Sequence, residues 1–541
     1  MGKIIQYGDE AKNSVITGID AVANIVKTTV GPNGRNVLIK EDGKAPLITN
    51  DGVTIAKSVQ LNDKAEDAGA QLIISSANKT NIVAGDGTTT TTILAQEMIH
   101  KYMELTEGDS KVNPVQVQKE MISCANQISD YLKTKAISIE SINDIKRVAT
   151  ISSGSEIIGN LIGEAFEASG EYGSVIVEDS KTGNDGLRTT QGMKLTNGSI
   201  NQFLFTDRVN RKTDLMDVNI LIIKDRLDSA TDVLPLLDDC AKTGRKLLIL
   251  CEDCENDIIN TIIMNKVRYG ANLNISIVKI PGYGDIKDNI IDDICLATGA
   301  TKIGREFGIT IKEYTPEYLG IIDQMIVGVD ETILKFKDTG LKGEDLSDSR
   351  HERAIELHKQ LEIAQENEKQ AFKKRISNLV DGISIIEVGG NSDVEIQDKK
   401  LRIEDAINSV LSAKEEGIVA GGGYSFLDTY INMTVENNVG SKIVMTSLKA
   451  VTSQIAENAG YKGEEVVNNC LEKQLGFNAL TGNYEDLIKT GVINSVKVDR
   501  YGVINAASIA STVITMGGNI VEENDKDPNV LQLAGPIQEL I

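Results

Sequence analysis

The chain changes character twice along its length, and the second change returns it to the style in which it began. Val15 to Val30 carries apolar residues at helical spacing and stops at Gly31-Pro32, a pair that ends helices. Short strands at Asn36 to Lys40 and Ala45 to Thr49 flank the turn Glu41-Asp42-Gly43, and Asp51-Gly52 makes a second turn. Ala65 to Ile82 is helical again and Gly85-Asp86-Gly87 breaks it. Thr88, Thr89 and Thr90 then open the next helix, Thr91 to Met103, as N-cap-type residues do. From Ser174 to Leu250 the strands SVIVE, VNILII and KLLILC alternate with helical stretches such as Ser229 to Thr243, the pattern of an α/β layer. Ser349 to Leu379 is charge-rich, with apolar positions at Leu357, Leu361, Ala364, Phe372, Ile376 and Leu379, and reads as a helix or helix pair packed on one face. After Leu401 the glycine-punctuated helical style returns. Matching ends around a different middle imply a discontinuous, mostly helical domain carrying an insertion. A length of 541 residues leaves room for about three or four domains.

Composition excludes several classes of function. Aspartate and glutamate total 79 against 56 lysines and arginines, a net charge of −23, which repels phosphate backbones and argues against nucleic acid as the main partner. Apolar runs such as Leu247 to Cys251 are strand-sized, so the expectation is no membrane partner. MGKIIQYGDE resembles neither a signal peptide nor a transit segment, so a cytoplasmic location is expected. Six cysteines in so long a chain do not make a disulfide framework, and Cys251/Cys254 is a CxxC with no second pair to complete a zinc site. The alternative for that pair is two small apolar residues at the end of a strand. With three histidines and no tryptophan, catalysis would have to run on carboxylates.

Four loops can carry such chemistry: Thr28 to Pro32, Asn50 to Thr54, Gly85 to Thr90 and Gly421-Gly422-Gly423. Singly, a DG dipeptide is a turn. GDGTTT says more, because glycines admit a close ligand, a helix N-terminus offers free amides and positive dipole, and three hydroxyls can hold phosphate oxygens. An aspartate in that setting would be repelled by phosphates unless Mg²⁺ bridges them, so the segment points to a magnesium nucleotide. It is not a P-loop, since GxxxxGK[ST] does not occur.

The ordered set TVGPNGRNV (29–37), NDGVTIAKS (50–58), AGDGTTTTTILAQ (84–96), PGYGD (281–285), EDA (404–406) and EEGIVAGGG (415–423) resembles the group I chaperonins, the GroEL type, from about Tyr7 to Val521. Asn50 is closer to group II usage. The resemblance implies a multidomain α and α/β fold. In it, 1–133 and 416–541 form an equatorial ATP-binding domain, 134–190 and 384–415 a small intermediate domain, and 191–383 an inserted α/β apical domain. It implies ATP and Mg²⁺ as cofactors and leaves K⁺ open as a third. By motif position Asp86 is the magnesium ligand, and Thr29, Val30, Gly31, Pro32, Gly87, Thr88, Thr89 and Thr90 surround the phosphates. Asp405 activates the attacking water with Asp51 nearby, Gly422 touches the nucleoside, and Asn478 and Ala479 meet adenine. Asn494 stands where an aspartate usually meets the ribose, and its carbonyl can still accept a hydrogen bond. Hinge candidates are Gly417, Gly192 and Gly382.

The resemblance further implies non-native polypeptides as partners, captured on exposed apolar residues at Phe203, Leu204, Leu234, Leu237, Ile259, Ile263 and Met264. It also implies a heptameric ring of this chain, one ring or two, and a lid-type co-chaperonin. Read without it, those apolar positions are ordinary core. Ser199 replaces an aromatic of the apical groove, Ser495 replaces a proline, and DPNVLQLAGPIQELI lacks a Gly-Gly-Met tail. An ATP-driven folding chaperonin is the expected function; a passive holdase or structural ring is the competing one.

Overall fold

In the computed structural model the described residues are 3–522 except 41–45, 107–111, 140, 171–173, 181, 209, 270–272, 342, 365 and 381. The turn at 41–43 and the C-terminal stretch at 527–541 therefore lie outside them. The chain divides into two compact units, one built from 1–163 and 388–541, the other from 164–387.

The unit made from both chain ends is helical. Its centre is the Val496–Ile514 helix, which is buried on every side, the polar Asp499, Arg500 and Asn505 included. It packs against Lys64–Ala84, Thr88–Thr106 and Pro114–Thr134, so a C-terminal helix fills the core formed by N-terminal ones. Two small antiparallel pairs sit at its surface. Lys3–Tyr7 joins Gly518–Glu522, and Val37–Ile39 joins Leu47–Thr49. The α-helix that begins at Gly8 ends at Val26, and one 3-10 turn, Lys27–Thr29, replaces the helical continuation expected to Val30. A second difference concerns the threonines. Thr88, Thr89 and Thr90 form the first turn of the Thr88–Thr106 helix itself rather than its cap.

The inserted unit holds an eight-stranded mixed sheet. Its order is Ser174–Asp179, Gly382–Val388, Gly186–Leu195, Thr332–Phe336, Gly320–Val327, Thr213–Ile223, Lys246–Cys251, Asn274–Lys279. Lys246–Cys251 pairs parallel with both neighbours, while the pairs from Gly382–Val388 to Thr213–Ile223 are antiparallel. Helices Ala230–Thr243 and Asn256–Tyr269 cover one face, and Asp285–Thr298, Leu346–Ile363 and Glu366–Val380 cover the other. The charge-rich segment is thus a helix pair. Cys251 ends its strand and both thiols of the CxxC are buried, which pushes Cys251 up and Cys254 to about 12. Among the described residues no three His, Cys, Asp or Glu side chains converge on a metal site.

One buried charge cluster ties three helices of this unit. Asp293 on Asp285–Thr298 accepts from Arg375 at 2.7 and 2.8 Å and from Arg353 at 3.4 Å. The carboxylate is 2% exposed, so its ion pairs are poorly screened. Asp293→Ala takes this counter-charge from Arg375 and leaves Arg353 only the exposed Glu356, at 2.8 Å. It should destabilise the inserted unit by about 3–5 kcal/mol, read as a lower urea midpoint. An unchanged midpoint would show the cluster to be dispensable.

Candidate functional site

The helical unit gathers the glycine loops and the aspartates. Gly85 closes the Lys64–Ala84 helix with φ 75°, and a Cβ there would meet Asn408 Cβ at 2.4 Å. Gly87 has φ 93°, and its Cβ would meet Val498 Cγ1 at 2.8 Å. Only glycine fits either place. Asp86, held between them, looks onto the N-terminus of Thr88–Thr106. There Thr88 is buried and its Oγ1 has no hydrogen-bond partner among the described residues, whereas Thr91 and Thr92 return their hydroxyls to Gly87 and Thr88 carbonyls. An orphaned hydroxyl in a helix's first turn, amid unsatisfied amides, is the kind of donor set a phosphate oxygen satisfies.

Asp86 Oδ1 accepts from the Gly87 N–H, and Oδ2 accepts from Ser152 Oγ at 3.2 Å and Ser409 Oγ at 3.0 Å. Burial pushes its carboxyl above the usual range. These donors pull it down, and the nearby Asp51 charge pushes it up again. Asp51 caps the Gly52–Ser58 helix, accepting from Val53 and Thr54 N–H at 3.0 and 2.9 Å. The Asp51 turn lies against the threonines: a Cβ on Gly52 would sit 2.6 Å from Thr89 Oγ1. Asp405, on the long Asp393–Glu416 helix, is pushed well above the usual range by burial and then by the charges of Asp86, Asp51 and Glu404. Three carboxylates thus come from three elements, Asp51 acting on Asp86 and both acting on Asp405. They do not converge closely enough to chelate an ion alone, which fits Mg²⁺, an ion bound through one or two carboxylates with phosphate oxygens completing the shell.

The remaining predicted residues border the same region. The Lys27–Thr29 turn packs on Thr88–Thr106. Asn458 Nδ2 donates to the Lys27 and Val30 carbonyls at 2.9 Å each, and Gly31 turns with φ 85°. Pro32 follows in the same exposed turn. Gly422, at φ 60°, approaches the Phe477 carbonyl, and Thr452 Oγ1 donates to its carbonyl at 3.2 Å. Asn478 donates to Glu485 at 2.6 Å and accepts from Leu480 N–H, while Ala479 packs on the helical core. Asn494 sits on Ile493–Ser495, which pairs with Ile418–Ala420 just before the triple glycine.

Two groups escaped the sequence reading. Ser152 and Ser409 lie 66 and 323 residues from Asp86, and no local pattern announces them. Asp499, 2% exposed, accepts from Ser425 and Asn494, each at 2.6 Å. Burial pushes it up to about 7 against those two hydrogen bonds, with Asp86 adding to the rise.

The expected capture residues of the inserted unit divide in two. Phe203, Leu234 and Met264 are 50%, 47% and 69% exposed and Ile263 is half-buried. Leu204, Leu237 and Ile259 are 0%, 4% and 3% exposed, against expectation. The reason is packing. Leu204, Leu237 and Ile259 join the core between the sheet and helices Ala230–Thr243 and Asn256–Tyr269. Ser199 donates to the Asn201 carbonyl at 2.9 Å, beside the Phe203 turn.

Comparison with known proteins shows what the chain is similar to. The sequence profile of the TCP-1/cpn60 chaperonin family matches residues 22–524. The Chaperonin GroEL of Acholeplasma laidlawii (strain PG-8A) is 36% identical over 540 residues, covering 98% of this chain and 99% of that one. Among solved structures, chaperonin gp146 of bacteriophage EL (Pseudomonas aeruginosa), in the presence of ATP-BeFx, is similar in fold. One crystal form matches with a TM-score of 0.71 at 20% identity, over 96% of this chain and 100% of that one. A second form gives 0.64, over 96% and 99%.

The crowding of Asp405 has a consequence for stability. A carboxyl raised on folding contributes stability that is complete below its ordinary value of 3.8 and is lost as pH climbs through the raised value. Asp405→Asn removes the penalty of the buried charge. The variant should melt above the parent chain at about pH 8, and the gap should close as pH falls towards 4. Equal melting temperatures at pH 8 would show that Asp405 is not crowded.

Proposed function

The chain belongs to the TCP-1/cpn60 chaperonin family, and on that footing we propose that it is an ATP-driven chaperonin, capturing non-native polypeptides and promoting their folding inside a ring of its own copies. The observation that carries the reading is the Thr88 hydroxyl, unpartnered among the described residues at a helix N-terminus and two residues from Asp86, whose carboxylate and that of Asp51 both bear on Asp405. Phosphoryl transfer to water needs positioning and charge compensation, which this set can supply without a covalent nucleophile.

Magnesium, held by Asp86 with phosphate oxygens, would neutralise the charge of the transferring group. Thr88, Thr89 and Thr90, with the turn from Thr29 to Pro32, would bind the phosphates through amides and hydroxyls. The Asp405 carboxylate would orient the attacking water and take its proton, with Asp51 alongside. Gly422, Asn478, Ala479 and Asn494 would hold the nucleoside. In the finer division 1–133 with 416–541 is equatorial, 134–190 with 384–415 intermediate, and 191–383 apical. Asp405 would then belong to the intermediate domain and reach the nucleotide only when that domain closes. Gly417, at φ 86° where the Asp393–Glu416 helix ends, would be one hinge.

A ring would also cover surface that is otherwise hard to explain. Leu38 and Ile48 on one two-stranded sheet, and Ile4, Ile5, Tyr7 and Ile520 on the other, are exposed. Two-stranded sheets with apolar faces are marginal alone. At −23 per copy, assembly needs such apolar contact and should be helped by salt that screens over about 8–10 Å.

Asp405→Ala should still bind magnesium ATP while hydrolysing it more slowly by about 10²-fold or more in a phosphate-release assay. Parent-level turnover in the variant would remove the assigned role, and nucleotide binding without turnover in the parent chain would favour a passive holdase.

Capture of clients should follow the exposed residues. Leu234→Ser with Met264→Ser should weaken retention of an unfolded protein while light scattering still reports the ring. Leu237→Ser should instead destabilise the inserted unit by about 2–5 kcal/mol. Full capture by the double variant would move the client surface elsewhere.

A further inference from the structure

Asn494 stands where the resemblance to the family implies an aspartate, yet a carboxylate, Asp499, is in contact with it from behind. Asp499 lies in the first turn of Val496–Ile514, where the helix dipole favours a negative charge. It is 2% exposed, and its hydrogen-bond partners are two neutral side chains. Ser425, from the helix that follows the triple glycine, donates to Oδ2, and Asn494 Nδ2 donates to Oδ1 at 2.6 Å. The preceding residue, Val498, abuts Gly87 of the Gly-Asp-Gly turn. Asp499 therefore joins the helix after the triple glycine to the Asn494 strand, one residue from the contact with the Asp86 turn.

An ionised carboxylate only accepts hydrogen bonds, so this contact dictates which way round the Asn494 amide lies. Turning it over would set two oxygens at 2.6 Å. With Nδ2 committed to Asp499, Asn494 Oδ1 accepts the Ser495 N–H at 3.0 Å and keeps a second lone pair. We propose that Asp499 is a positioning residue for the nucleoside subsite, locking the Asn494 amide so that its oxygen accepts from a ribose hydroxyl as a carboxylate would. This rests on the nucleotide reading given above. Carboxylate and amide have exchanged layers: the acceptor facing the ligand is neutral, and the charge that orients it is buried.

The exchange makes a prediction opposite to simple restoration of the usual aspartate. Binding of ATP, 2′-deoxyATP and 3′-deoxyATP to the full chain would be measured by calorimetry with magnesium at about pH 8, above the value of about 7 to which burial raises Asp499. The parent chain should prefer ATP over at least one deoxy analogue by about tenfold, the scale of one hydrogen bond well made. Asn494→Asp sets two carboxylates in contact and should weaken ATP binding by about tenfold or more. Asp499→Asn should shrink the preference for the ribose hydroxyl towards one. The double exchange, Asn494→Asp with Asp499→Asn, should restore both affinity and preference to within about threefold. A merely structural role for Asp499 would leave the ribose preference alone. ATP binding by Asn494→Asp as tight as the parent's, or a parent chain indifferent to both deoxy analogues, overturns the inference while leaving the nucleotide reading intact. Should single variants fail to fold, a folded double exchange lacking the preference overturns it as well. A parent chain that binds no ATP overturns both.

Discussion

Repulsion among Asp51, Asp86 and Asp405 is the constraint around which the helical unit is arranged. Each comes from a different element: a helix cap, a turn between two helices, and the middle of a long helix. Burial and neighbouring like charges raise the ionisation cost of Asp86 and Asp405, and such a cluster stays together only where the frame is over-determined. The frame here is the core around Val496–Ile514, which packs against the helices on both sides of the Asp86 turn. The neutral hydroxyls of Ser152 and Ser409 offset part of the remaining strain at Asp86.

The two most perturbed members of the cluster differ in what surrounds them. Three donors reach Asp86, all favouring its anion. Every influence named at Asp405 works the other way: burial, then Asp86, Asp51 and Glu404. Groups of one chemical type pushed apart by their settings commonly divide acid–base labour. Under the proposed function the donor-rich carboxylate suits a cation, while the donor-poor one suits a proton in transit.

The helical ends and the α/β middle were legible because their apolar periods are long and regular. So was the Gly-Asp-Gly turn, where positive φ and close neighbours leave no substitute for glycine. Contacts set by the chain's return were not legible. Ser409 is 323 residues from Asp86, and nothing near Asn494 reveals that Asp499 turns towards it. The boundary of the buried face was also out of reach. Leu234 and Leu237 are neighbours on one helix, but three residues are about 300° of turn, so they diverge by about 60°. The edge of the core passes between them, and periodicity does not say where that edge falls.

That edge has a use under the proposed reading. Phe203 and Leu234 are exposed, yet each has a buried apolar neighbour in sequence or on its helix, Leu204 and Leu237. Lys266 Nζ further pins the Phe203 turn through the Leu204 carbonyl at 2.7 Å. Anchored this way, the exposed side chains cannot sink into their own core without displacing residues already packed there. Apolar surface that cannot retreat stays available to a partner. Its attraction, at about 25 cal/mol per Å² buried, grows with the apolar area the partner brings. A folded protein offers little such area in one patch and an unfolded one offers much, so a few fixed side chains can discriminate by foldedness without reading any sequence.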